Sequence, residues 1–161
     1  IQKDTGGFTE LVPLSFVHTD SPLFLNNPNS VRPGPTDHEV DLMHSVSRIM
    51  LNGFIDNIQV SWPKLGAKRA RNMLSLGVND LGGTLMNESI SRSAGSKHGQ
   101  EITAAELCEI IRSVGRTPVR RNTIYKTIDI YKDHDPIDVV PLVERKSDPL
   151  NFLKMFPETA E

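Results

Sequence analysis

Cysteine is almost missing from this sequence. Cys108 is the only one in 161 residues, which excludes an internal disulfide framework and any Cys-rich metal site built from this chain alone. Long hydrophobic runs are missing too: the longest, such as residues 49–51 and 139–143, fall far short of the roughly 20 residues a membrane-spanning helix requires. There is also no block of like charge. With 18 Lys plus Arg against 20 Asp plus Glu and a formal net charge of -2, the overall field offers the backbone of a nucleic acid nothing, so no nucleic-acid and no membrane partner is expected. No short repeat is visible. Residues 1–7 carry neither the basic n-region nor the apolar core of a signal peptide, and the first residue is Ile1. The expectation is a soluble protein of the cytoplasm or an organelle interior that begins inside a longer polypeptide. Asn87-Glu88-Ser89 matches a glycosylation sequon, but without a secretory signal it reads as a chance match.

What remains is ordinary globular composition, 37% hydrophobic, with readable punctuation. Residues 8–13 read as a short strand bracketed by Gly6, Gly7 and Pro13. Residues 14–35 hold Pro22, Pro28, Pro33 and Pro35 and are expected to carry no regular element, which in a compact domain marks a functional loop. Thr36 and Glu39 form a capping box, so a helix starts at Asp37 and runs to Asn52-Gly53, with Val40, Met43, Val46 or Ser47, and Met50 as its core face. A strand over residues 58–62 closes at Pro63, a helix over 64–76 stops at Gly77, and a third strand covers 78–81. After a polar loop over residues 87–100, Thr103 and Glu106 cap a helix over 104–114 that ends at Gly115. An extended stretch near residues 123–125 and a Pro-rich tail from Lys132 complete the chain. Three strand-then-helix units predict an α/β fold with parallel pairing, too few to close a barrel alone.

Polar residues at the C-terminal ends of such strands face the ligand. Residues 13–18, 59–62 and 79–84 occupy those ends, the last continuing through Asn87, Glu88 and Arg92. Asn79 and Asp80 offer an amide and a carboxylate, and Gly82 with Gly83 lets backbone N–H groups approach a phosphate, a ribose or an amino acid. Local bonding of Asn79 and Asp80 to their own turn explains those two residues equally well. Gln59, Ser61 and Trp62 suit a flat polar ligand, although Trp62 packed in the core beside a solvated Gln59 is the simpler account. His18 and His44 are expected at the surface. His98, with Lys97 and Gln100, serves either an anion or a solvated loop edge. Asp133-His134-Asp135 is discounted as a metal tripod because adjacent side chains diverge, and Cys108 reads as a small buried hydrophobe.

Several stretches together resemble one family, that of deazaflavin (F0) synthase, in the half or subunit that joins tyrosine to a ribitylaminouracil. They are Gly7-Phe8-Thr9-Glu10 with Pro13-Leu14, Arg32-Pro33-Gly34-Pro35, Arg48-Ile49-Met50-Leu51-Asn52-Gly53 and Ile58-Gln59-Val60-Ser61-Trp62. The longest is Asn79-Asp80-Leu81-Gly82-Gly83-Thr84-Leu85-Met86-Asn87-Glu88-Ser89-Ile90-Ser91-Arg92, followed by Ala94-Gly95, His98-Gly99, Gly115-Arg116-Thr117-Pro118 and the run from Arg121 to Tyr125. The resemblance covers residues 6–126 and implies the C-terminal part of a parallel (βα) TIM-type radical S-adenosylmethionine barrel, about three βα units, with residues 127–161 as a partly irregular extension. It implies a parent that uses a 4Fe-4S cluster and S-adenosylmethionine to cleave tyrosine between Cα and Cβ. The hydroxybenzyl group passes to 5-amino-6-(D-ribitylamino)uracil, and a partner half or subunit closes the deazaflavin ring. The cluster needs three thiolates, so the chain alone is expected to be inactive. Within such a barrel, Gln59, Ser61, Asn79, Asp80, Gly82, Gly83, Thr84, Asn87 and Glu88 are expected, from their position at the strand ends and in the loops that follow, to bind the substrate or S-adenosylmethionine. Two other expectations compete with it: a related aminofutalosine-type enzyme of menaquinone biosynthesis, and a non-catalytic truncated half-barrel.

Overall fold

A computed structural model describes residues 1–85 and 87–136; the expected tail over 137–161, with Pro141, Pro149 and Pro157, lies outside the described residues, as does Met86. Both capping boxes form. Thr36 Oγ1 accepts from the Glu39 amide at 3.3 Å while Glu39 Oε2 accepts from the Thr36 amide at 2.8 Å, opening a helix over Asp37–Met50. The same exchange between Thr103 and Glu106 opens a helix over Ala104–Arg112. In chain order the helices are α1 (Gln2–Thr5), α2 (Pro22–Asn26), α3 (Asp37–Met50), α4 (Trp62–Leu65), α5 (Ala67–Met73), α6 (Ile90–Ser93) and α7 (Ala104–Arg112). The strands are β1 (Glu10–Leu11), β2 (Asn57–Ile58), β3 (Val119–Arg121) and β4 (Thr127–Ile130).

The result is a mixed α/β structure. β1 and β2 pair in parallel, Glu10 with Asn57 and Leu11 with Ile58, and Gln59 adds a parallel bridge to Asp80. β3 and β4 form a separate antiparallel hairpin with an irregularity at Arg120 and Arg121. Side chains alternate across a strand, so this register places Leu11, Ile58 and Val60 on one face and Glu10, Asn57, Gln59 and Asp80 on the other. The apolar face carries the core: Ile58, Val60, Met73 and Val78 are fully buried, with Trp62, Ala70, Leu74, Leu81 and Ile102 around them and Leu107, Ile110 and Ile111 of α7 packed against the cluster. The opposite face is polar.

Several expectations are corrected. The first strand shrinks from residues 8–13 to Glu10–Leu11, because the Phe8 amide and carbonyl are both taken by the Gln2 side chain and Pro13 has no N–H to give. The supposedly structureless stretch 14–35 contains α2, since Pro22 stands at the start of a helix, where its missing N–H costs nothing. The strand over 58–62 stops short because Trp62 and Pro63 begin α4. The helix over 64–76 is broken at Gly66, where φ is 80° and the His98 ring lies 3.0 Å from where a Cβ would sit. The third strand reduces to the bridge at Asp80, because the Asn79 side chain rather than its backbone takes the Ile58 amide. The polar loop 87–100 folds part of itself into α6, and residues 123–125 form the tip of the β3–β4 hairpin rather than a strand.

The buried face of α3 is the largest correction. Met43 and Met50 are 55% and 69% exposed and Val46 is also exposed, whereas His44, expected at the surface, is 2% exposed. The helix turns Val40, His44, Ser45 and Arg48 inward because each polar member finds a carbonyl. His44 Nδ1 bonds Val40 O at 2.8 Å, Ser45 Oγ donates to Leu76 O, and Arg48 donates to Gly77 O and Asp56 O. Hydrogen bonding to distant loops outweighs the apolar stripe.

Candidate functional site

The polar face of the parallel segments and the loops that follow them form the candidate site. A recess of about 200 Å³ opens there, and Gln59, Ser61, Trp62, Gly82, Gly83 and Thr84 are among its lining residues. Its glycine corner is shaped by two hydrogen bonds and one backbone angle. Asp80 Oδ1 accepts from the Gly82 amide at 2.5 Å, Trp62 Nε1 donates to Gly83 O at 3.1 Å, and Gly82 adopts φ 73°. A side chain at Gly82 is excluded twice over, by that backbone and by Gln59 Nε2, 2.9 Å from where its Cβ would lie. Trp62 is buried and holds the corner from the core side, so its role is packing plus one hydrogen bond.

Neighbouring candidates separate in space. Asn79 and Asp80 are adjacent, yet Asn79 turns to the helix side, where its Oδ1 accepts from the Ile58 amide at 2.9 Å and Arg48 Nη2 at 2.7 Å and its Nδ2 donates to Asp56 O at 3.1 Å. Oδ1 thus takes two donors and Nδ2 serves one acceptor there, and Asn79 is not among the residues lining the recess. Asp80 stays on the polar face, but its second oxygen meets Arg121 Nε at 2.5 Å. Asn87, at φ 56°, accepts from Arg92 through Oδ1, and Glu88 caps the start of α6 by accepting from the Ser91 amide at 3.0 Å. These two brace the loop beside the recess, while Gln59, Ser61, Gly82, Gly83 and Thr84 line it.

Three residues outside the expected set complete the polar face: Glu10 at the start of β1, and Arg121 and Tyr125 from the hairpin. The Arg121 guanidinium stacks 4.1 Å above the Tyr125 ring, donates to Asp80 and lies 3.8 Å from Glu10 Oε2. The Tyr125 hydroxyl donates to the same Glu10 oxygen. Burial, then the acceptor carboxylate of Glu10, pushes the Tyr125 phenol up, so it stays protonated and donates. Asp80 holds the Arg121 guanidinium above its usual range. Tyr125 reaches Glu10 from a left-handed backbone conformation, φ 61°, which costs a bulky residue on the order of 1 kcal/mol. The run from Arg121 to Tyr125 stands out in the sequence only through the family resemblance, and nothing local ties it to Glu10.

The remaining candidates find structural roles. His18 Nδ1 accepts from the Gly34 amide at 3.0 Å and its ring meets Phe24 edge-on, so this half-buried His pins the loop rather than lying free at the surface. The His98 ring packs on Gly66 beside a second recess of about 370 Å³ between α5 and α7. Asp135 pairs with Arg112, His134 lies 3.5 Å from Asp129, and Cys108 is buried within α7. Among the described residues no group of His, Cys, Asp or Glu could hold a metal ion, and no helix is long and apolar enough to cross a membrane.

Known proteins resemble this sequence. The family described as the CofH/MqnC C-terminal region matches residues 5–134. The chain belongs to this family. Similar proteins include an FO synthase of Nocardia farcinica, 51% identical over 88% of this chain and 16% of that protein. A 5-amino-6-(D-ribitylamino)uracil–L-tyrosine 4-hydroxyphenyl transferase of Methanopyrus kandleri is 50% identical over 81% of this chain and 35% of its own length. An FO synthase of Mycobacterium leprae is 54% identical over 78% of the chain. The chain thus spans only about a seventh to a third of these relatives. No solved structure matches it.

Proposed function

We propose that this chain is the substrate-side C-terminal part of an enzyme that transfers the hydroxybenzyl group of tyrosine to 5-amino-6-(D-ribitylamino)uracil on the way to the deazaflavin F0. One observation carries the reading: Glu10, Gln59 and Asp80 share the polar face of a parallel sheet, with the recess and the Arg121–Tyr125 contacts at its strand ends, in a chain half identical to a transferase named for that reaction. In this reading the segments are the last part of a parallel βα barrel and the polar face is turned to its lumen. Gln59, Ser61, Gly82, Gly83 and Thr84 hold one end of a substrate, and Asp80 keeps the glycine corner open. A ring-closing half or subunit is the partner.

The residues present do not fit the cofactors of such an enzyme on their own. A 4Fe-4S cluster takes three thiolates, and this chain has Cys108 alone, buried in α7. The recess of about 200 Å³ is also below the roughly 300 Å³ at which pockets for ligands the size of S-adenosylmethionine begin. The chain accordingly supplies one wall: it binds and orients substrate and excludes water there, while the cluster belongs to polypeptide outside it.

The test is a chimera in which this chain replaces the matching C-terminal part of the Methanopyrus transferase, reconstituted with iron and sulfide and given tyrosine, S-adenosylmethionine and the ribitylaminouracil. Mass spectrometry should find the coupled product. A chimera that holds its cluster and cleaves S-adenosylmethionine yet couples nothing would refute the reading.

A further inference from the structure

We infer that Glu10 is a substrate-contacting residue, presenting one carboxylate oxygen to an N–H or ammonium donor of the ligand, and that Tyr125 and Arg121 are the positioning residues that aim it. The inference rests on the function proposed above and extends it to a specific group.

The geometry separates the two oxygens of Glu10. Both contacts fall on Oε2: the Tyr125 hydroxyl donates to it, and Arg121 Nη2 lies 3.8 Å away. Among the described residues no hydrogen bond reaches Oε1, and the side chain retains 36% exposure on the polar face. A carboxylate accepts up to about four hydrogen bonds, so a group anchored through one oxygen is oriented without being saturated. Arg121 is itself fixed, by Asp80 at 2.5 Å and by stacking on the Tyr125 ring, so the anchor is rigid.

Position does the rest. Glu10 pairs with Asn57, and Gln59 lies two residues further along the neighbouring strand on the same face. With strands about 4.8 Å apart and a rise of about 3.3 Å per residue, Glu10 and Gln59 stand roughly 8 Å apart. Glu10 does not itself line the recess, but a ligand that runs from Gln59 across the polar face towards β1 comes within its reach. The donor chemistry Glu10 selects is shared by two ligands, the ammonium of an amino acid and the amine or ring N–H of an aminopyrimidine.

The experiment uses the chimera described above, unaltered and as Glu10→Gln and Tyr125→Phe. KM and kcat are measured with tyrosine and the ribitylaminouracil varied separately, and calorimetry follows the binding of each ligand without turnover. Glu10→Gln keeps the shape and an acceptor for Tyr125 but removes the charge, so KM and Kd for one of the two ligands should rise about tenfold, with kcat and the melting temperature little changed. The ligand affected identifies the donor. Tyr125→Phe should raise KM for the same ligand by a smaller factor. If KM and Kd for both ligands stay within about twofold in Glu10→Gln, or if only the melting temperature falls, the inference is wrong while the proposed function stands. If nothing is coupled yet binding still depends on Glu10, the proposed function fails and the assignment of Glu10 holds. A chimera that binds neither ligand overturns both.

Discussion

Replacing Asn79 by Ala separates a structural role from contact with substrate. The Asn79 side chain makes three hydrogen bonds at the N-terminal end of β2, accepting from the Ile58 amide and from Arg48 and donating to Asp56 O. Two of these lie at the surface, where water replaces the lost partner, and each contributes about 0.5 kcal/mol. The third serves the amide of Ile58, a residue with no solvent exposure, and leaving that donor unsatisfied costs about 1–2 kcal/mol. The sum is about 2 kcal/mol, which for a domain of this size lowers the melting temperature by about 6 °C. Circular dichroism melts of the chain measure it, and kinetics of the chimera supply the second readout. KM should not move. A melting temperature within about 1 °C of the parent, combined with a raised KM, would show that Asn79 faces the ligand and that its bonding at β2 is incidental.

Two further outcomes follow from the same structure. Glu39 is held down to about 2 from an ordinary 4.5, first by Arg32 and then by the Thr36 amide and hydroxyl. A carboxyl depressed in the folded state adds stability that is complete above its unfolded value and is lost as pH falls from about 4.5 towards 2. The gap in melting temperature between the parent and Glu39→Gln should therefore close over that window, and a gap constant with pH contradicts the assignment. Met43→Lys probes the face of α3: because Met43 is largely exposed, the variant should melt within about 2 °C of the parent, and a loss like that of a core substitution would return Met43 to the interior.

Starts and stops of helices were legible wherever the determining atoms lie within a few residues of one another. Thr36 with Glu39 and Thr103 with Glu106 are local exchanges, and Gly77 and Gly115 stop their segments at φ 103° and 74° through their own backbones. The alternation of a strand likewise sufficed to put Gln59 and Ser61 on one face, and both line the recess. The inward face of α3 was not legible. Apolar spacing favoured Met43, Val46 and Met50, whereas the helix is oriented by Arg48 and Ser45 reaching carbonyls up to 31 residues away.

The sequence by itself determined the capped helices, the glycine stops, the polar strand ends and the family, because each depends on short-range bonding or on residue identity. Tertiary structure alone decided that Asn79 meets Arg48, that Asp80 meets Arg121 and that Glu10 meets Tyr125 across 115 residues. A side chain's partner over such a distance is set by which chain segments pack together, and no local spacing encodes that.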